Sequence, residues 1–319
     1  MMKRLQSFLA ATCLGLAVTA GVHAGELVVG FSQIGAESGW RSAETKMARQ
    51  EAEKRGITLK VSDAQQKQEN QIKAIRAFIA QDVDAIFIAP VVETGWTSVL
   101  KEVREAGIPV FLLDRLIEDK DKDLYTSAIV SDQVLEGRMA GEWLAGKTGG
   151  KSRIVELQGT VGASVTNNRK KGFEEVVARY PDMKILRSQS GDFTRSKGKE
   201  VMESFIKAEN GGKNIDAVYA HNDDMVIGAI QAIKEAGLVP GKDILVVSID
   251  GVPDIFKAMA EGEANATVEL TPNMAGPALD ALLRLKNEKA APPKVILTET
   301  KVYLPDTAKA EYEARKDLY

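Results

Sequence analysis

A chain of 319 residues, 44% hydrophobic and 27% charged, is long enough for about two domains, each with its own core. Its net charge of −3 excludes a polyanion binder acting through bulk charge, so nucleic acid is not an expected partner.

The first 24 residues read as a secretory signal. Lys3 and Arg4 precede an apolar run over 8–18, and Val22-His23-Ala24 supplies a small residue at the cleavage point. The run is shorter than the roughly 20 residues that span a bilayer. A lipoprotein reading would use Cys13, but Thr12 stands where a small residue is expected. The expectation is an exported, soluble protein starting near Gly25. Removal of 1–24 leaves 295 residues, 40 basic against 45 acidic, no cysteine, and His221 as the single histidine. Disulfides, zinc sites of His and Cys, and Cys–His catalysis are then excluded. A Ser–His–Asp triad would have to use His221.

Beyond Gly25, short apolar strands alternate with amphipathic helices. Strands are expected at 27–31, 57–61, 85–89 and 109–113, with helices from Trp40 to Gly56, around Ile72–Ile79, and over 95–106. Segment 120–130 is the expected crossing between domains. A second run has strands at 154–157, 184–186, 217–220 and 244–249, with helices near 164–179, 194–208 and 223–236. Such alternation argues parallel sheets covered on both faces, in two doubly wound α/β lobes.

In open α/β sheets, ligands bind beyond the carboxyl ends of the strands. Those ends carry Glu37-Ser38-Gly39-Trp40-Arg41, Asp114-Arg115, Arg169 beyond the loop 158–162, Asp192-Phe193, Asn222 and Asp250. Asp223 and Ser131 are expected as helix caps, which leaves Asn222 free for a site. Arg169 is expected to face inward, with Lys170 and Lys171 turned away. Carboxylates beside guanidinium groups satisfy hydroxyls that both donate and accept. Aromatic rings such as Trp40 and Phe193 pack on apolar sugar faces. This mixture suits a sugar.

Other motifs fail. Asp119-Lys-Asp-Lys-Asp123 has the odd-position acidic spacing of a calcium loop, but Leu124 and Val130 stand where Gly and Glu are required. There is no G-x-G-x-x-G and no P-loop, so no dinucleotide or ATP cofactor is expected. Asp114 and Asp250 resemble a glycosidase carboxylate pair. Flanking arginines are expected to hold both ionised, which favours hydroxyl recognition over hydrolysis.

At Ala85-Ile-Phe-Ile-Ala-Pro90, Ile108-Pro-Val-Phe-Leu-Leu-Asp-Arg115, Arg169-Lys-Lys-Gly-Phe173, Tyr219-Ala-His-Asn-Asp-Asp-Met225 and Ser248-Ile-Asp-Gly251, the chain resembles the periplasmic sugar-binding proteins of the ribose/galactose type. These are substrate receptors of ABC importers. The segments Gly30–Gln33, Glu37–Arg41, Leu157–Ser164 and Gln189–Gly198 look like the galactofuranose-binding branch. The resemblance covers 25–319.

The resemblance implies a type I periplasmic binding fold with a three-crossing hinge. An N-terminal lobe would comprise 25–128 plus 271–295, and a C-terminal lobe 129–270 plus 296–319. Crossings are expected near 128–130, 250–253 and 268–272. It implies ligand contacts at Asp114, Arg115, Arg169, Asn222 and Asp250. Glu37, Ser38, Trp40 and Arg41 occupy the first-strand contact region, and Asp192 and Phe193 the matching loop in the second lobe. The ribose pattern has two consecutive aromatics where Trp40-Arg41 stand, and a hinge Gln that Val268-Glu-Leu-Thr-Pro272 lacks. Both departures point away from ribose. The family further implies a monomeric periplasmic receptor with no metal, no cofactor and no catalysis. Its partners would be a monosaccharide and a membrane permease. A sugar chemoreceptor shares this chemistry and differs only in partner.

Overall fold

The computed structural model describes residues 27–319; the expected signal segment lies outside them. The chain runs β1 (Val28–Gln33), α1 (Gly39–Lys54), β2 (Thr58–Asp63), α2 (Gln68–Ala80), β3 (Ala85–Ile88), α3 (Thr97–Glu105), β4 (Val110–Leu113) and β5 (Ser127–Val130). After α4 (Gln133–Thr148) come β6 (Lys151–Gln158), α5 (Ser164–Val177), β7 (Asp182–Ser190), α6 (Arg195–Ala208), β8 (Ala217–Ala220), α7 (Asp223–Glu235), β9 (Leu245–Asp250), α8 (Pro253–Ala260) and β10 (Ala266–Glu269). The described chain ends with α9 (Ala275–Glu288), β11 (Val295–Leu297), β12 (Val302–Tyr303) and α10 (Ala308–Arg315).

These strands form two six-stranded sheets, ordered β11-β5-β4-β3-β1-β2 and β12-β10-β9-β8-β6-β7. Each contains the doubly wound order 2-1-3-4-5 with one strand added at an edge. The runs Ala-Ile-Phe-Ile, Val-Phe-Leu-Leu and Ala-Val-Tyr-Ala of β3, β4 and β8 are buried throughout, because helices cover both sheet faces. Among the described strands, β12 alone pairs antiparallel, against β10.

The lobes have separate aromatic anchors. Phe87 and Phe111 meet edge to face in the first, with centroids 5.5 Å apart. Phe173 stacks on Tyr219 at 3.9 Å in the second. Two glycines let α4 and α5 touch backbone to backbone. A Cβ at Gly172 would stand 1.9 Å from the Val134 carbonyl oxygen, and one at Gly137 2.1 Å from that of Arg169. This close approach sets Arg169 against Glu136.

Three sequence expectations are corrected. Segment 120–130 is not the crossing: a 3-10 turn, Asp119–Leu124, leads into β5, which pairs with β4 and β11 in the first sheet. The charged turn masked the buried Ser-Ala-Ile-Val strand behind it. Nor does the chain cross at 250–253. There β9 pairs with β10 in the second sheet, and α8 between them packs on α7 and α10. The chain passes between sheets after Val130 and between β10 and α9, beside the crossings expected near 128–130 and 268–272, and a third time between β11 and β12. Strands β5 and β11 also extend to 130 and 297, past the expected lobe boundaries of 128 and 295. No helix among the described residues is long and apolar enough to cross a membrane.

Candidate ligand-binding site

The carboxyl ends of both sheets face one cavity between the lobes, with about 260 Å³ of empty space. The lobes meet directly around it. Gly39 N–H donates to Asp224 Oδ2 at 2.8 Å, Glu93 N–H to the Gly162 carbonyl at 2.9 Å, and Leu116 N–H to Ser164 Oγ at 2.9 Å.

The first-lobe wall begins with a helix cap. Ser38 Oγ accepts from Arg41 N–H at 3.1 Å, which fixes the first turn of α1 and brings Glu37, Ser38, Trp40 and Arg41 onto the cavity. The Arg41 guanidinium is buried. Its Nη2 lies 2.5 Å from Asp114 Oδ2 and its Nε 3.1 Å from Glu37 Oε1, while Nη1 pairs with Glu44. Trp40 Nε1 donates to the Leu270 carbonyl at 2.7 Å, tying α1 to the chain where it leaves the second sheet. Arg115 Nη1 donates to the Val91 carbonyl at 3.0 Å. Gln71 holds that segment in place, accepting from Val91 N–H and donating to the Ser32 and Ala89 carbonyls.

The second-lobe wall carries Arg169 on α5. Its Nε donates to Glu136 Oε2 at 2.8 Å, its Nη1 to the His221 carbonyl, and its Nη2 faces Asp250 Oδ1 at 3.5 Å. The Phe193 ring lies 5.1 Å from the Arg115 guanidinium, across the cleft. Asn222 Nδ2 donates to the Phe193 carbonyl at 3.1 Å. Asp114, Phe193 and Asp250 have φ of +63°, +61° and +131°, so backbone strain gathers around the cavity.

Ten of the eleven expected residues thus line one cavity, joined by Val165 and Leu270. Asp192 is the exception. It takes φ +52° and its Oδ1 accepts from Ser190 Oγ at 3.0 Å, a tight turn that delivers Phe193 to the wall in its place. The capping assignments also change. Asn222 itself caps α7, accepting from Met225 N–H at 3.0 Å, and Asp132 rather than Ser131 caps α4. A cap must be the extended residue just outside the helix, and Asp223 is already inside.

Three buried atoms on these walls have no hydrogen-bond partner: Glu37 Oε2, Arg115 Nε and Arg169 Nη2. Such orphans are rare in folded chains, and these supply one acceptor and two donors. Burial, with Arg41 close by, lowers Arg115 to about 10, so it stays charged at neutral pH. Burial would lower Arg41 and Arg169 too, but their carboxylate partners raise both. Asp250 is pushed well above the usual carboxylate range by burial, which Arg169 at 3.5 Å does not offset. At Asp250, burial thus works against the ionisation that the neighbouring arginine was expected to hold.

Sequence reasoning missed the residues behind the walls. Glu44 sits one helical turn beyond Arg41, a spacing that could have revealed it. Glu136 lies 33 residues from Arg169 and gave no local signal. Gln133 donates to the Asp114 carbonyl at 2.7 Å and accepts from Asn168 at 3.0 Å, bridging β4 to α5. Val165 and Leu270 are apolar and carry no chemical signature. His221 is committed elsewhere, with Nε2 3.0 Å from Glu156 Oε1 and Nδ1 accepting from Gly159 N–H at 3.4 Å. Neither ring nitrogen is left for a serine nucleophile.

Residues 29–289 match the family model described as a periplasmic binding protein domain. The chain is 66% identical to the galactofuranose-binding protein YtfQ of Escherichia coli (strain K12), over 100% of this chain and 99% of that protein. It is 34% identical to the ribose import binding protein RbsB of Bacillus subtilis (strain 168), over 71% and 70%. A crystal structure of a galactofuranose binding protein superposes with a TM-score of 0.90 at 69% identity, covering 92% of this chain and 99% of the other. The periplasmic component of the arabinose ABC transporter from Shewanella sp. ANA-3, bound to alpha and beta-L-arabinofuranose, gives 0.88 at 59% identity, covering 91% and 96%. The chain belongs to the periplasmic binding protein family.

Proposed function

We propose that this protein captures a monosaccharide in its furanose form, galactofuranose first among the candidates, and delivers it to an ABC-type importer without chemical change. The observation that carries the reading is the pair of facing ion pairs, Arg41–Asp114 and Arg169–Asp250, beside the orphaned Glu37, Arg115 and Arg169 atoms. Sugar hydroxyls each donate and accept, so one ring placed between these groups can satisfy all three orphans. Trp40 and Phe193 supply the apolar surface for the C–H faces. The names of the relatives support a furanose: one binds galactofuranose, another holds arabinofuranose.

In this reading Glu37, Ser38, Trp40, Arg41, Asp114 and Arg115 contact the ligand from one lobe, and Arg169, Phe193, Asn222 and Asp250 from the other. The lobes, built on 27–130 plus 271–297 and on 131–270 plus 298–319, close around the sugar and present a surface to the permease. Residues 1–24 direct export and are removed. The mature protein works in the periplasm as a monomer without metal or cofactor.

A thermal-shift screen of the mature chain, first stripped of carried-over ligand, tests this. A sugar at 100 times its dissociation constant adds about 2.7 kcal/mol, several degrees of melting shift. Large shifts with D-galactose and L-arabinose, and none with D-ribose, are expected. No shift with any sugar would sink the reading.

A further inference from the structure

Asp223 is wholly buried and does not line the cavity, yet its carboxylate collects four hydrogen bonds. Oδ1 accepts from Ser248 Oγ at 2.5 Å and Thr267 Oγ1 at 2.8 Å. Oδ2 accepts from the backbone N–H groups of Gly251 at 2.7 Å and Val252 at 2.8 Å. Ser248 and Thr267 are register partners on β9 and β10, so Oδ1 is anchored to two neighbouring strands. Oδ2 thus holds the two residues that directly follow Asp250.

That turn needs holding. Asp250 has φ +131° and Gly251 +79°, and for Asp250 this is a sparsely populated backbone region that persists only where the surroundings over-determine it. Helix capping does not account for Asp223, because Asn222 already caps α7. No cation pairs with it among the described residues. A buried carboxylate without a cation is a costly way to end a strand.

We propose that Asp223 is a positioning residue for the ligand site, fixing the turn after β9 so that the Asp250 carboxylate meets Arg169 at the cavity. It acts through Asp250 and touches no ligand itself. The inference rests on the sugar-binding reading.

The test uses the full mature chain, with L-arabinose and D-galactose titrated calorimetrically well below each variant's melting temperature. Asp223→Ala leaves two buried N–H groups unpaired and frees the turn, and is expected to weaken binding at least about tenfold. Asp223→Asn keeps an acceptor for both N–H groups and lets the hydroxyls accept, so affinity returns to within about threefold of the parent. A merely structural role would lower melting temperature but leave the affinity of folded protein unchanged. Parental affinity in folded Asp223→Ala overturns the proposal, as does equal loss in both variants. Should Asp223→Ala not fold, Thr267→Val loosens one anchor, and a fall of about threefold supports what an unchanged affinity would overturn. A parent that binds no sugar at all contradicts the functional reading itself, and the inference with it.

Discussion

Arg169 Nη2 and Asp250 Oδ1 stand 3.5 Å apart on the cavity wall, a buried ion pair without a hydrogen bond. The other two arms of the guanidinium are committed, Nε to Glu136 and Nη1 to the His221 carbonyl. The arm that remains is clamped in place and unsatisfied, which is how a preorganised donor for an incoming hydroxyl should look. Asp250 supplies an acceptor beside it.

Arg169→Met should remove both the donor and the partner of Glu136. Breaking a buried pair costs about 3–5 kcal/mol because the remaining charge is uncompensated. Chemical denaturation should register a loss of that order, and sugar affinity should fall at least about a hundredfold. A stable variant with near-parental affinity would show that Arg169 is structural filler.

Asp114→Asn should separate binding from folding. The nearer partner of this carboxylate is Arg41 at 2.5 Å, with Arg115 Nε at 3.7 Å. Arg41 keeps Glu37 and Glu44 in the variant, and Asn tolerates the φ of +63° that Asp114 adopts. The circular dichroism spectrum should be unchanged while affinity falls by about 1.5–3 kcal/mol, the worth of hydrogen bonds to a charged group. Titration calorimetry decides it, and unchanged affinity would remove Asp114 from the site.

Trp40 should report closure. Its indole spans the lobes through the Leu270 carbonyl, whereas Trp96 is packed in the first-lobe core and Trp143 lies on α4. Sugar should therefore change tryptophan emission in the parent and barely change it in Trp40→Phe. An equal change in both would place the signal elsewhere.

The pH dependence of stability should carry the mark of Asp223. Burial pushes this carboxyl up to about 7, against its four hydrogen bonds. The native state then holds a proton between about pH 4 and 7 that the unfolded chain has released. The associated stability is fully present below about pH 4 and lost as pH rises through 7. Asp223→Asn lacks this titration. Its stability relative to the parent should rise between pH 4 and 7, by up to about 1.4 kcal/mol per unit. Parallel melting curves across that range would contradict the assignment.

The strand–helix alternation was legible because parallel strands covered on both faces write continuous apolar runs, as in Ala85–Ile88 and Val110–Leu113. Most of the residues lining the cavity were legible because they stand at, or shortly beyond, the ends of strands that the sequence marks. What escaped had weaker signatures. Helix α4 has small and charged residues spread around its circumference, since Gly137 and Gly141 pack it on α5 without an apolar stripe. Strands β11 and β12 are two or three residues long. Asp192 stands off the cavity because the left-handed backbone of 192–193 turns only Phe193 of the two onto its wall. Asn222 took the cap expected of Asp223 while still lining the cavity, because a one-residue shift in where α7 begins decides which of them caps it.

On the proposed function, the cavity between Arg41–Asp114 and Arg169–Asp250 takes a furanose ring. The most direct test is carbon NMR of uniformly ¹³C-labelled L-arabinose mixed with an excess of ligand-free mature protein. The bound anomeric resonances should fall at furanose positions and return to the pyranose-dominated pattern of free sugar on displacement. Bound resonances of a pyranose, or none distinct from free arabinose, would contradict the account.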